Sequence, residues 1–313
     1  MKPIVIVHGG AGDIPLSRVK GKLDGVKVAV IAGYECLING GSALDAVEAA
    51  VVPMEIDENF NAGYGSVLNL RGEVEMEASI MRGSDLNVGA VTLVKEFQHP
   101  ISIARKVLTD SPHSLLGGEG AKLFALEKGF APVPPGTLVS ENAKNALQRF
   151  LKHGEFNRTE IGTADDGVGT VGAVAVDANG HVAVATSTGG MSGKSVGRIG
   201  DTPQIGSGTY ADDNIGGVST TGHGESILKY CLAHSIIKLM EGGLDANMAT
   251  ENAVKGMTDR LKNTAGAITL SKSGDVGVHF SSQRMAWAYV KNDQIFYGID
   301  QAEVLQEDYQ KKF

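Results

Sequence analysis

Gly169-Thr170-Val171-Gly172-Ala173-Val174-Ala175-Val176 leads into Asp177-Ala178-Asn179-Gly180 and then His181-Val182-Ala183-Val184-Ala185-Thr186-Ser187. Two β-rich runs around an Asn-Gly turn predict a β-hairpin. Upstream lies the polar, glycine-containing run from His153 to Gly169, the best linker candidate in the chain. A threonine therefore opens a strand directly after a flexible segment.

Working outward from the hairpin, residues 3–7 read as a buried strand followed by the turn-forming run His8-Gly9-Gly10-Ala11-Gly12. Apolar residues then recur at helical spacing from Arg18 to Ile38, and Gly40-Gly41 ends that segment. Ser42 caps a second helix, Ala43 to about Val52. The strict alternation from Glu73 to Ile80 predicts a strand with one buried face, and a further strand is expected from Gly89 to Val94. Helices are expected near 100–109, 118–128 and 140–152. Beyond the hairpin come helices near 224–240 and 244–261, then short strands near 266–271, 276–281, 285–290 and 294–298. Blocks of strands alternating with blocks of helices point to a layered α+β or α/β/β/α arrangement rather than regular βαβ alternation.

The 313 residues, 42% of them hydrophobic, are enough for a sizeable core, and the formal net charge of −8 comes without long like-charge blocks. Neither a nucleic-acid nor a membrane footprint is indicated. The apolar run after Met1 is too short for a signal peptide, and Cys36 and Cys231, far apart in apolar, helix-like segments, suit buried reduced thiols. A cytoplasmic protein is expected. Asn157-Arg158-Thr159 matches a glycosylation acceptor but reads as an unused exposed loop in that setting.

Several chemical patterns fail on inspection. Gly193-Lys194-Ser195 resembles the end of a phosphate-binding loop, but Thr188 stands where the first glycine belongs. Gly193-Lys194-Ser195-Val196-Gly197 satisfies G-x-S-x-G without the strand and helix that a nucleophile elbow needs. Gly206-Ser207-Gly208-Thr209-Tyr210-Ala211 nearly matches a dinucleotide fingerprint, yet no buried strand precedes it, so it reads as loop. The eight histidines show no metal-binding spacing.

Gly169-Thr170 remains. A threonine hydroxyl needs a base, and its own α-amine, with a pKa near ~8, can serve once the preceding peptide bond is cut. Taken alone, such a run is more often just a strand start. The segments His8-Gly9-Gly10-Ala11-Gly12, Phe60-Asn61-Ala62-Gly63-Tyr64-Gly65-Ser66, Gly169-Thr170-Val171-Gly172, Ser187-Thr188-Gly189-Gly190, Val196-Gly197-Arg198-Ile199-Gly200-Asp201 and Ser219-Thr220-Thr221-Gly222-His223-Gly224-Glu225 occur in this order. Together they resemble the plant-type asparaginase/isoaspartyl peptidase family of N-terminal-nucleophile hydrolases, from residue 3 to about 299.

The resemblance implies a four-layer α/β/β/α sandwich and cleavage between Gly169 and Thr170, giving an α-chain of residues 1–169 and a β-chain of 170–313 in one structural domain. It makes Thr170 the nucleophile, Thr188 its orienting partner, and Thr221 and Gly222 the oxyanion hole, whose donors can supply ~3 kcal/mol each. A β-aspartyl substrate carries a free carboxylate and a free ammonium; Arg198 offers a planar fork for the first and Asp201 an acceptor for the second. Gly224 matches a backbone contact to substrate, Asn61 a residue that helps cleavage, and His8, Gly9 and Gly10 a loop that rearranges with it. The resemblance also implies a structural sodium ion in the loop from Met54 to Tyr64, no catalytic cofactor, and a homodimer of αβ units. Ala11 and Gln204-Ile205 depart from the small residues usual at those places. A glycosylasparaginase-like amidase and a non-catalytic aspartyl-binding protein are the alternative readings.

Overall fold

A computed structural model describes residues 2–153 and 169–310, so most of the expected linker, and the glycosylation-like tripeptide with it, lies outside the described residues. In chain order the elements are β1 (Ile4–Gly12), α1 (Leu16–Ile38), α2 (Ala43–Glu55), β2 (Met76–Arg82), β3 (Val88–Val94), α3 (Pro100–Asp110), β4 (Leu115–Gly117), α4 (Gly118–Glu127), α5 (Glu141–His153), β5 (Val171–Val176), β6 (Val182–Thr188), β7 (Thr209–Asp212), β8 (Gly216–Gly222), α6 (Gly224–Tyr230), α7 (Leu232–Glu241), α8 (Ala246–Leu261), β9 (Ala265–Ser271), β10 (Val276–Phe280), β11 (Arg284–Lys291), β12 (Gln294–Asp300) and β13 (Leu305–Asp308).

The strands form two sheets. The larger runs β13-β12-β11-β1-β5-β6-β2-β3-β4, and the smaller runs β10-β9-β8-β7. Helices α1, α2 and α3 pack on the larger sheet, and α7 and α8 on the smaller; β8 and β9 lie against β1, β5 and β6. The arrangement is α+β with mixed sheets, as the block-wise sequence pattern predicts.

The β5–β6 hairpin forms as expected. Asp177 closes the turn by accepting from Gly180 N at 3.0 Å, while its side chain accepts from Asn179 N and His181 N at 2.9 and 3.0 Å. Gly180 adopts φ +83°, the left-handed step that a three-residue hairpin loop requires. The turn fixes Val176 opposite Val182 and Val171 opposite Ser187. One residue further along the same register, Thr170 stands opposite Thr188.

The strand β1 departs from expectation: it continues through the glycines, and its pairing with β11 is irregular between His8 and Ala11. On its other side β1 pairs with β5 up to His8 opposite Gly172. Continued by two or three residues, that antiparallel register lays Gly10 and Ala11 alongside Thr170 and Gly169.

Other differences have physical causes. Helix α2 carries Pro53 within its last turn and runs on to Glu55, while Ser42 and Asp45 form the reciprocal cap at its start. The strand read from Glu73 begins instead at Met76, and both its faces are buried, because the segment around residues 200–209 covers the second face: Glu77 accepts from Gly200 N and Ser79 donates to Thr202 O. The expected helix 224–240 breaks into α6 and α7 at Cys231, which has φ 52°. Cys231 is exposed and Cys36 only partly buried, so the expectation of two buried thiols is corrected; both are unpaired. The fingerprint-like run expected as loop contributes β7, and β4, β8 and β13 are strands beyond those the sequence predicts.

The two sheets meet closely enough to demand small residues. A Cβ at Gly217 of β8 would lie 2.6–2.9 Å from methyl groups of Val184, Val174 and Val182. We predict that Gly217→Val lowers stability by ~1–3 kcal/mol through overpacking, read as a lower urea midpoint at unchanged slope; an unchanged midpoint would contradict this packing.

Candidate active site

The hairpin register places the first pair of functional groups. Thr170, 1% exposed, donates its Oγ1 hydrogen to Thr188 Oγ1 at 3.0 Å, and the same Thr188 oxygen accepts from Gly190 N at 3.0 Å. Ser187 anchors this strand end by donating to Glu55 Oε1 at 2.7 Å. The Thr170 hydroxyl is thus held on an oxygen that is itself fixed by backbone.

Gly169 lies between the two sheets' ends. A Cβ on it would come within 2.7 Å of Ala11 N and Gly10 Cα and 2.9 Å of Thr221 Oγ1. Conversely, a Cβ on Gly10, whose φ is +98°, would lie 2.5–2.6 Å from the backbone of Gly169. Only glycine on both sides allows this approach. Thr221 Oγ1 accepts from Ala11 N at 3.1 Å, which leaves the threonine's own hydrogen to donate elsewhere. Gly222, at φ +131°, has no room for a side chain against Thr264 and Ala265.

Asn61 ties in the neighbouring loop. Its Nδ2 donates to Gly190 O at 2.7 Å, its Oδ1 accepts from Val67 N at 3.0 Å, and its carbonyl accepts from Gly189 N at 2.9 Å. His8 points between the sheets instead: its Nε2 lies 2.9 Å from Ser219 Oγ, at one end of a buried chain of hydroxyls through Thr186, Thr209 and Ser79. Burial pushes the imidazole down to about 3, so His8 is neutral.

Arg198 and Asp201 converge on Gly224. A Cβ there would lie 2.6 Å from Arg198 Nη2 and 2.8 Å from Asp201 Oδ1. The Arg198 fork binds Glu225 through Nε and Nη2 at 3.0 and 2.9 Å, while Nη1 faces Gly190 and Gly200. Burial raises the Asp201 carboxyl to about 7, with the Arg198 charge opposing it, and Thr220 Oγ1 lies 3.3 Å from its Oδ2. A cation and a carboxyl face one small space walled by glycine.

Sequence reasoning did not assign Glu77, Lys194, Glu225 or Lys22. Lys194 is buried and donates to Glu75 O at 2.6 Å, and burial lowers its ammonium to about 8. Burial raises the Glu77 carboxyl, which Lys194 and Arg198 counteract. Ser195, the elbow-like serine, is exposed. Glu225 directly follows Gly224 in a motif already singled out, so its signal was present; the others depend on tertiary neighbours.

Among the described residues, no group of three or more His, Cys, Asp or Glu side chains could hold a metal. The loop from Met54 to Tyr64 and the adjoining Gly65 are wound tightly around peptide oxygens. Glu55 O and Phe60 O lie 1.9 and 2.0 Å from where Cβ atoms of Gly63 and Gly65 would be. Each of these two glycines is backed by a peptide carbonyl that leaves no room for a side chain.

This geometry meets independent comparisons. The asparaginase family profile matches residues 1–299. A probable isoaspartyl peptidase/L-asparaginase of Drosophila pseudoobscura is 50% identical, over 98% of each chain. Isoaspartyl peptidase/L-asparaginases of Xenopus laevis and Homo sapiens are 48% and 46% identical, over 97% and 96% of this chain and 97% of each relative. With identity of this level spread over nearly the full length, the chain belongs to the asparaginase family.

Proposed function

We propose that the chain is a self-cleaving threonine hydrolase that releases the side-chain amide of L-asparagine and cuts β-aspartyl dipeptides. The observation that carries the reading is the Gly169-Thr170 bond, wedged between Gly10 and Thr221 with the Thr170 hydroxyl 3.0 Å from Thr188. Cleavage there divides the protein into residues 1–169 and 170–313. The halves stay one domain, because β1 of the first half lies between β5 and β11 of the second, and the packing of helices outside two facing sheets supports a four-layer α/β/β/α sandwich.

In the cleaved enzyme Thr170 Oγ1 attacks the substrate's side-chain carbonyl carbon, and the freed α-amine takes the hydroxyl proton. The oxyanion is met by the Thr221 hydroxyl, whose oxygen is already held by Ala11 N, and by Gly222 N–H. The amine then returns a proton to the departing ammonia or α-amino group. A β-aspartyl ester remains on Thr170, and water, activated by the same amine, hydrolyses it. Arg198 takes the substrate α-carboxylate and Asp201 its ammonium. No cofactor is needed for these steps. A structural sodium ion in the Met54–Tyr64 loop, a homodimer of αβ units and a cytoplasmic setting complete the reading; the two unpaired cysteines suit the last of these.

Ammonia release from L-asparagine and amine release from a β-aspartyl dipeptide test the reading, with a sugar-linked asparagine assayed beside them. Thr170→Ala is expected to lose roughly 1,000-fold or more in turnover of the first two; turnover at the wild-type rate would exclude Thr170 as nucleophile, and preference for the sugar conjugate would favour a glycosylasparaginase-like amidase.

The pH dependence follows from two groups that must both be deprotonated, the Thr170 amine, ordinarily near ~8, and Asp201, raised to about 7 by burial. Accordingly kcat/KM, which reports the free enzyme, should begin to fall as pH drops below about 8 and steepen below about 7, beyond what a single ionisation allows. Asp201→Asn should lower kcat/KM at pH 8 by roughly 10- to 100-fold and reduce the acid limb to one ionisation. An unchanged limb in that variant would remove Asp201 from ammonium recognition.

A further inference from the structure

Lys22 is fully buried in the second turn of α1, yet no step of the proposed hydrolysis uses it. Its Nζ donates to the carbonyl oxygen of Gly9 at 2.7 Å and sits 5.0 Å from the centre of the Phe60 ring. That ring is also what a Cβ on Gly9 would strike, at 2.4 Å. One ammonium therefore joins three parts: helix α1, the glycine run of β1 and the loop that carries Asn61. Burial lowers the Lys22 ammonium to about 7, with the Arg18 charge adding to the shift and the Asp57 carboxylate opposing it; replacing Lys22 by a methyl-ended chain would remove the cost of burying that group.

What the contact fixes is a peptide plane. The Gly9 carbonyl and the Gly10 N–H belong to one rigid amide, so holding the oxygen on Lys22 sets the direction of the Gly10 N–H and the path into Gly10. Two glycines in succession, released from the regular ladder by the irregularity between His8 and Ala11, have no side chains to set that plane themselves. Gly10 in turn packs against the backbone of Gly169, where a Cβ on it would lie 2.5–2.6 Å away. The chain of contact from Lys22 to the Gly169-Thr170 bond is thus Nζ, Gly9 carbonyl, Gly10, Gly169.

We infer that Lys22 is a positioning residue for the intramolecular cleavage at Gly169-Thr170, holding the Gly9-Gly10 peptide in the orientation that presses Gly10 against Gly169. This rests on the self-cleavage proposed above. Lys22 acts on the bond through the glycine run and takes no part in turnover of external substrate by the cleaved enzyme, where the Gly169-Thr170 bond no longer exists.

The test follows the full-length chain, made in a cell-free pulse and chased at constant temperature, by the appearance of the two fragments. Wild type, Lys22→Met and Lys22→Arg are compared, with turnover of β-aspartyl dipeptide per cleaved site and thermal melting measured on the same preparations. Lys22→Met should cleave at least tenfold more slowly, melt at or above the wild-type temperature, and turn over substrate per cleaved site within twofold of wild type. Lys22→Arg, which keeps a charged donor, should cleave at an intermediate rate. Lys22→Met cleaving at the wild-type rate would overturn the inference. So would a slow Lys22→Met that also melts lower and turns over poorly, with Lys22→Arg no better, because that pattern marks a residue needed only for folding. A wild-type chain that stays whole would remove the self-cleavage reading instead, and this inference with it.

Discussion

The antiparallel register of the β5–β6 hairpin is the constraint on which the site depends. The turn from Asp177 to His181 is closed by four hydrogen bonds and one left-handed glycine, and because pairing proceeds residue by residue, that turn decides which side chains meet at the far end. A slip of one residue would turn Thr188 to the opposite face and leave the Thr170 hydroxyl without its partner. Pairing of β1 on the other side of β5 applies the same logic to Gly10 and Ala11. The Thr170 hydroxyl, the Thr188 oxygen it donates to and a close-packed glycine are therefore positioned by backbone ladders, which are stiffer than loops.

The second sheet completes what the first begins. Its strand β8 carries Thr221 and Gly222 and lies on β5 and β6 so closely that Gly172 would, with a Cβ, meet Ser219 Oγ at 2.0 Å. Between the sheets, hydroxyls of Ser219, Thr186, Thr209 and Ser79 satisfy one another in sequence, while His8 Nδ1 and Thr202 Oγ1 beside them are buried without a hydrogen-bond partner among the described residues. Charges are buried there as well: Glu77, Lys194 and Asp201 are all nearly inaccessible. Each ion costs several kcal/mol to bury alone, and the cluster lowers that cost by alternating sign. The outcome is a carboxyl at Asp201 whose ionisation responds near neutrality.

How much of this the sequence made legible differs by element. The hairpin was readable because β-branched alternation and an Asn-Gly turn are local signals. The strands β7 and β8 were not, since Gly216-Gly217-Val218-Ser219-Thr220-Thr221-Gly222 is glycine- and hydroxyl-rich and resembles a loop until its burial between a helix layer and another sheet is known. The break at Cys231 left no trace, because a left-handed cysteine has no sequence signature. Helix α2 runs past the expected end near Val52, through Pro53, because a proline near a helix end removes few bonds. Of the site, Thr170 alone was an ordinary strand start; the ordered motifs gave it partners, and the structure brings Thr188, Thr221, Gly10, Gly169, Arg198, Asp201 and Gly224 into one neighbourhood. Lys22, Glu77 and Lys194 stayed hidden because their meaning lies in partners many residues away.

The central claim is that Thr170 becomes a chain terminus, and intact-mass spectrometry of the purified protein under denaturing conditions addresses it most directly. The account predicts two masses, those of residues 1–169 and 170–313, with threonine at the new N-terminus. A single mass for the whole 313-residue chain in a preparation that hydrolyses β-aspartyl dipeptide at full rate would contradict it.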